Sequence, residues 1–286
     1  MRRRLAVSWF AAMLAGLAPA AAQTKAPALN APLPNPTELW RRALDNERKL
    51  AAEQERYECR VTSTLTLTDS RGNPQKTTTE VIDQFYVNGI EIHRTLQRNG
   101  KDLTPEQAKK EDERVMKETL KYSNPETAQK EEAKQNQAAE DFMTAMMLTN
   151  GHRAIVDGRS VLFYDIAPNP RIAAKNVNQR IARILKGTVE IDEPTGETID
   201  MNVRSVADLK IGGGLLANIH KGFWLHIHNH PQPDGVWMTG LFEGSGDARV
   251  LLFSHKYGRV SMRNDNCHPY TATATQVGKP TVVKTH

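Results

Sequence analysis

The stretch HIHNH places His226, His228 and His230 at every second position. On a β-strand, side chains two apart share a face. Three imidazoles in one row would suit zinc, copper or nickel, because neutral imidazole nitrogen binds all three. A catalytic metal also needs a further ligand, a sheltered pocket and groups that orient the imidazoles. Of the other histidines in the C-terminal half, His220 and His255 are the ones placed to help. The residues between the histidines point elsewhere. Phe223, Leu225 and Ile227 form an apolar row on the opposite face. That alternation describes a half-buried strand whose histidines share a polar outer face with Trp224. A water-facing row is therefore favoured over a metal site, and a metal-dependent enzyme is the least favoured function.

Other chemistry is sparse. The chain has no G-x-S-x-G, no H-E-x-x-H, no P-loop and no C-x-x-C. IGGGLLANIHKG sets three glycines before a short apolar, helix-like turn, but without the preceding βαβ unit or the lysine-serine ending of a phosphate loop. It reads as a flexible turn. Asp192 and Glu193 adjoin a turn and read as solvated turn residues rather than an acid/base pair. No cofactor, no metal and no catalytic residue are expected.

The elements that would carry such a strand follow from periodicity. The chain opens MRRRLAVSWFAAMLAGLAPAAAQ, with three arginines, an apolar run and an A-x-A pattern. Residues 1–22 read as a secretory signal peptide, with no cysteine at the cleavage site to carry a lipid anchor. Residues 23–35 read as a Pro/Ala-rich linker. The full chain carries a net charge of +5, and the signal removes three arginines and no acid, leaving +2. The basic balance is thus largely a targeting feature and implies no nucleic-acid partner. Cys59 and Cys267 are the two cysteines. In an exported compartment they are either a disulfide tying the domain's start to its end or two buried thiols.

Asn35, Pro36 and Glu38 start a helix over 36–55. YECRVTSTLTLT then alternates with period 2, placing Cys59 on the apolar face. Asn88-Gly89 marks a hairpin between TTTEVIDQFYV and EIHRTLQR. Thr104, Pro105 and Gln107 start a charged helical insertion, 104–148, polar except for FMTAMML at its end. Met143, Met146 and Met147 there suit either helix docking or a mobile gate. Strands return at 152–156 and 160–166, a short helix spans about 176–184, and further strands follow to RVLLFSHKY. Residues 36–270 form one domain, and 271–286 read as a disordered tail. Strands and helices do not alternate, which disfavours a doubly wound sheet. The expected fold is mainly β (α+β), an antiparallel, strongly curved sheet with helices on one side.

At this point the chain resembles a known group, the periplasmic LolA/LolB-like lipoprotein-carrier superfamily, in particular outer-membrane lipoprotein-sorting proteins. The resemblance lies in the order of YECRVTSTLTLTD, VNGIEIHRTLQRNGKDLTPEQ, IVDGRSVLFYDIAPNP, LKGTVEIDEPTGETIDMNVR, KIGGGLLANIHKGF and PDGVWM over residues 37–258. It implies an incomplete β-barrel with helices plugging its concave side. It also implies a non-enzymatic carrier or chaperone for lipoprotein acyl chains or another hydrophobic ligand, working in the periplasm and touching membranes only transiently. An envelope-sensing module of the same fold, binding a partner protein, is the alternative. The alternation alone nominates Val81, Phe85, Phe163, Val189, Phe223, Leu225 and Ile227 as cavity positions, with ordinary core packing the favoured alternative for any single one.

Overall fold

The computed structural model describes residues 29–69, 73–211, 217–247 and 257–270. The segment read as a signal peptide, the 271–286 segment read as a tail, the GGG turn, His255 and most of RVLLFSHKY lie outside the described residues.

Helix α1 (Pro36–Gln54) starts where Asn35 caps it: the Asn35 side chain accepts from the Thr37 and Glu38 amides. It leads into β1 (Tyr57–Thr68), β2 (Pro74–Val87), β3 (Ile90–Arg98) and the two-residue β4 (Lys101–Asp102). Asn88 (φ 48°) and Gly89 (φ 80°) turn β2 into β3, as their left-handed tolerance allows. Helices α2 (Pro105–Tyr122) and α3 (Pro125–Thr144) follow, the first opened by a complete capping box of Thr104 and Gln107. Then come β5 (Met146–Val156), β6 (Arg159–Pro168), α4 (Val177–Ala182), β7 (Leu185–Asp192) and β8 (Thr198–Ser205). The chain continues as β9 (Leu209–Ile211), β10 (Ala217–Ile219), β11 (Trp224–Pro231), β12 (Trp237–Asp247) and β13 (Tyr257–Pro269).

Eleven strands form one open, curved antiparallel sheet in the order β4-β3-β2-β1-β13-β12-β11-β8-β7-β6-β5. The mainly β fold with helices is as expected. The 104–148 insertion divides differently. Met146, Met147 and Leu148 belong to strand β5, and Met146 and Leu148 are core. A short apolar run such as FMTAMML does not distinguish helix from buried strand by periodicity. The insertion connects β4 at one edge of the sheet to β5 at the other, so α2 and α3 bridge the gap that keeps the sheet from closing. Residues 217–219, read as part of a helical turn, form β10 and pair with β9.

Two buried apolar clusters lie on the face that α1 crosses. One cluster gathers Leu39 of α1 with Leu148, Leu162, Ile166, Val189, Ile191 and Val203. A second gathers Leu50 of α1 with Tyr57, Val61, Ile82, Trp237 and Met238. Between them α1 is fastened by side-chain donors on backbone carbonyls: Trp40 Nε1 to Met143, Arg42 Nη2 to Pro194, Asn46 Nδ2 to Thr195 and Gln54 Nε2 to Trp237, at 2.6–2.9 Å.

Cys59 and Cys267 stand directly opposite each other in the β1–β13 ladder and are joined, with 4.1 Å between Cα atoms. The solvated reading of Asp192 and Glu193 is corrected. Asp192 is fully buried, accepts from Thr195 and pairs with Arg159. Glu193 pairs with Arg153 and accepts from Ser160. Buried carboxylates persist because each is met by an arginine and a hydroxyl. The two arginines and Ser160 lie on β5 and β6, more than 30 residues away in sequence.

Glu197 follows the same turn, facing α1. Burial first, then Glu47, Glu53 and Asp192, push its carboxyl up to about 7 against the opposing Arg42. The folded chain keeps this proton to about pH 7, whereas an ordinary glutamate loses it near 4.5. The folded state therefore binds more protons in that window, and stability falls as pH rises from 4.5 to 7. Glu197→Gln is expected to melt above the parent at pH 8, with the gap closing towards pH 4.5. Thermal midpoints measured at pH 5 and pH 8 check this, and an unchanged gap would contradict it.

Candidate functional site

The three histidines do not act as one row. β12 bulges at Gly240, where His228 pairs with Leu241 but Asn229 with Thr239. His226 Nε2 and His228 Nδ1 both meet the same oxygen of Asp200, at 2.8 and 3.2 Å. His230 instead meets the Gln232 side chain. Glu190 stands beside Asp200 in the β7–β8 ladder. Burial, then the Asp200 charge, raises the Glu190 carboxyl above its ordinary value, while His228 and His226 oppose that. The arrangement orients two imidazoles through one carboxylate. Among the described residues, no group of three or more His, Cys, Asp or Glu side chains is placed to hold a metal ion. Sequence reading missed Asp200 and Glu190, because cross-strand neighbours become visible only with the register.

The registers place each nominated cavity residue. Val189, Phe223, Leu225 and Ile227 lie on the inner face, the one crossed by α1. Val81, Phe85 and Phe163 are corrected to the outer face. Val81 pairs with Thr62, while its neighbour Ile82 pairs with the buried Val61. Phe85 pairs with Ile92, one position off the inward Gln84 and Tyr86. Phe163 stacks on His152 (ring centroids 5.0 Å apart) and pairs with Glu190, while Leu162 and Tyr164 turn inward. The outer row runs His152, Phe163, Glu190, Asp200, His228 across five strands.

The inner face carries the feature best suited to a function. Three cross-strand rows span β1, β13, β12 and β11. They read Ser63–Met262–Phe242–Ile227, Leu65–Val260–Gly244–Leu225 and Leu67–Gly258–Gly246–Phe223. Every large apolar side chain among them is half-buried, unlike the closed core beneath α1. The glycines set the floor low. A Cβ on Gly246 would lie 2.4 Å from the Phe223 ring, and one on Gly244 would lie 3.2 Å from the Trp224 carbonyl. Phe223 can thus lie flat over the strand only because Gly246 has no side chain. Leu65, Leu67, Phe242, Val260 and Met262 were not nominated from sequence. The signal that could have found them is Gly244-Ser245-Gly246, two glycines on one face of one strand.

An open, curved sheet with a helix laid across one half of its inner face and a partly buried apolar floor on the other defines a class of half-barrel scaffolds. No family model and no curated protein matches the sequence. Solved structures similar to the chain include a putative outer membrane lipoprotein-sorting protein domain from Vibrio parahaemolyticus, at 10% identity and TM-score 0.35, covering 83% of this chain and 94% of that one. A LolA superfamily protein from Nitrosomonas europaea matches at 7% identity and TM-score 0.29, covering 84% and 96%. A DUF1329 family protein from Desulfovibrio piger matches at 7% identity and TM-score 0.28, covering 83% and 95%.

Proposed function

We propose that this chain is an exported, periplasmic carrier that shelters lipoprotein acyl chains, or another hydrophobic ligand, without covalent chemistry. The apolar floor is the observation that carries the reading. Eight large apolar side chains from four adjacent strands are only partly buried beside a fully formed core. A soluble protein leaves such a contiguous patch open at a cost, and an occupant would recover it. An acyl tail gains about 0.8 kcal/mol for each methylene it buries there. The N-terminal signal pattern and the order of the family-like segments support the same reading.

A second reading is a sensory module that docks a partner protein through α2. Met116 and Leu120, one helical turn apart, are 61% and 67% exposed on that helix.

Delipidated protein is expected to take up a fluorescent fatty acid in one-to-one ratio. Leu225→Glu should abolish uptake with the circular dichroism spectrum unchanged, whereas Phe163→Ala on the outer face should not alter it. Met116→Glu with Leu120→Glu should leave uptake intact. Absence of uptake by the parent chain would sink the carrier reading.

A further inference from the structure

The floor does not end at its apolar rows. Phe242 and Met262 also line a pocket of about 290 Å³ between the C-terminal end of α1 and strands β2, β3, β12 and β13. We propose that this pocket takes the uncharged, hydrogen-bonding head of a single-chain amphiphile whose tail lies on the floor; the proposal rests on the carrier reading above.

The pocket changes chemistry abruptly from the floor. Three side-chain amides line it: Gln54, Gln84 and Asn264. Each spends one N–H on a fixed neighbour. Gln84 Nε2 donates to Tyr86 Oη at 3.2 Å, Gln54 Nε2 donates to the Trp237 carbonyl at 2.9 Å, and Asn264 Nδ2 donates to the Thr239 carbonyl. Those bonds fix the orientation of each amide. They leave each with a second N–H and an oxygen lone pair available to a ligand. Gln84 is only 8% exposed, so its amide is held in a fixed place at the pocket wall.

Charge selects the head. Among the described residues, no lysine or arginine lines the pocket. Its one basic ring, His93, is already bonded to Glu91. Burial, then the Glu91 carboxylate, holds the Tyr86 phenol well above its ordinary range, so it stays a neutral hydroxyl. A phosphate would lose its hydration here, beside a carboxylate, and gain no free cation. A glycerol or amide head has donors and acceptors for the same amides and carries no charge to desolvate.

The test uses the delipidated full chain loaded with N-phenyl-1-naphthylamine, an uncharged apolar probe, displaced by two lipids with the same oleoyl tail. Monooleoylglycerol is expected to displace the probe at a concentration at least tenfold below that of oleoyl lysophosphatidic acid. Gln84→Leu with Asn264→Leu should shrink that ratio below threefold without weakening the probe. Equal displacement, or preference for the phosphate, by the parent chain overturns the head-group proposal and leaves the floor reading standing. Failure of the chain to bind the probe or either lipid overturns both. The comparison on the parent chain stands even where the double variant fails to fold.

Discussion

Replacing Cys59 and Cys267 by alanine is expected to lower the unfolding free energy by up to about 5 kcal/mol, the chain-entropy value for a loop this long. The two cysteines are 208 residues apart, so almost the whole domain lies inside the loop they close. The site of the bond makes that loop matter. Strands β4 to β1 form one arm of the sheet, and β13 to β5 form the other. Within the sheet the arms meet only along β1 and β13, where chain start pairs with chain end. Such pairing is the slowest and most entropically expensive contact in the fold. The bond also sits beside the register shift at Arg60 and Val61, where the ladder is locally broken. Cys59 is 1% exposed, but cysteine to alanine removes little volume, so a large loss would come from the freed unfolded chain rather than from a cavity. Urea unfolding separates the two. An entropic loss brings a steeper denaturant dependence, because the unbridged unfolded chain exposes more surface. A loss below 1 kcal/mol with an unchanged slope would mean that the β1–β13 ladder holds the arms together unaided.

The residues explain why some faces were legible in the sequence and others were not. In β11 and β7 the alternation is clean: Phe223, Leu225 and Ile227 against Trp224, His226 and His228, and Val189 and Ile191 against Thr188 and Glu190. There period 2 has one phase, and the inner row follows from it. In β2 and β6 apolar residues occupy both parities, as in Val81-Ile82, Phe85-Tyr86 and Val161-Leu162-Phe163-Tyr164. Period 2 then has no phase, and the larger aromatic is no guide to the buried side. The floor hid for a related reason. Leu65 and Leu67 sit among threonines, and Gly244, Gly246 and Gly258 contribute by having no side chain at all. Its four strands are separated by up to 200 positions of sequence, so their shared surface exists only once β1 pairs with β13. The polar pocket beyond it is less visible still, since Gln54, Gln84 and Asn264 come from three distant elements and none belongs to a recognisable motif.

Arg153→Met alone is expected to cost about 3–5 kcal/mol, the penalty for leaving a buried charge without its partner. Arg153 has 2% of its side chain exposed, yet it carries a full charge at the sheet edge on β5. Its guanidinium engages both Glu193 oxygens and donates to the carbonyls of Ala31 and Pro32, at 2.7 and 3.3 Å to the latter two. One side chain thus joins β5, the β7–β8 turn and the segment that leads into α1. Bonding to Arg153 holds the Glu193 carboxyl below its ordinary value, and Ser160 adds to that. With Arg153 gone, Glu193 keeps its charge, its burial and only the Ser160 hydroxyl. Removing the acid as well should recover much of the loss, because a buried pair replaced by apolar residues of similar size is often close to neutral. Arg153→Met with Glu193→Met is therefore expected to be more stable than Arg153→Met. The double variant should still show faster proteolysis between residues 29 and 35, since the anchors on Ala31 and Pro32 are lost in both. A double-mutant cycle by urea unfolding, with proteolysis followed by mass spectrometry, reads both effects. If the double variant were no more stable than Arg153→Met while Glu193→Met alone stayed close to the parent, the arginine's hold on the leading segment, rather than its pairing with Glu193, would be its main contribution. That outcome would make the residue chiefly an anchor for α1, the helix that covers one half of the inner face beside the apolar floor.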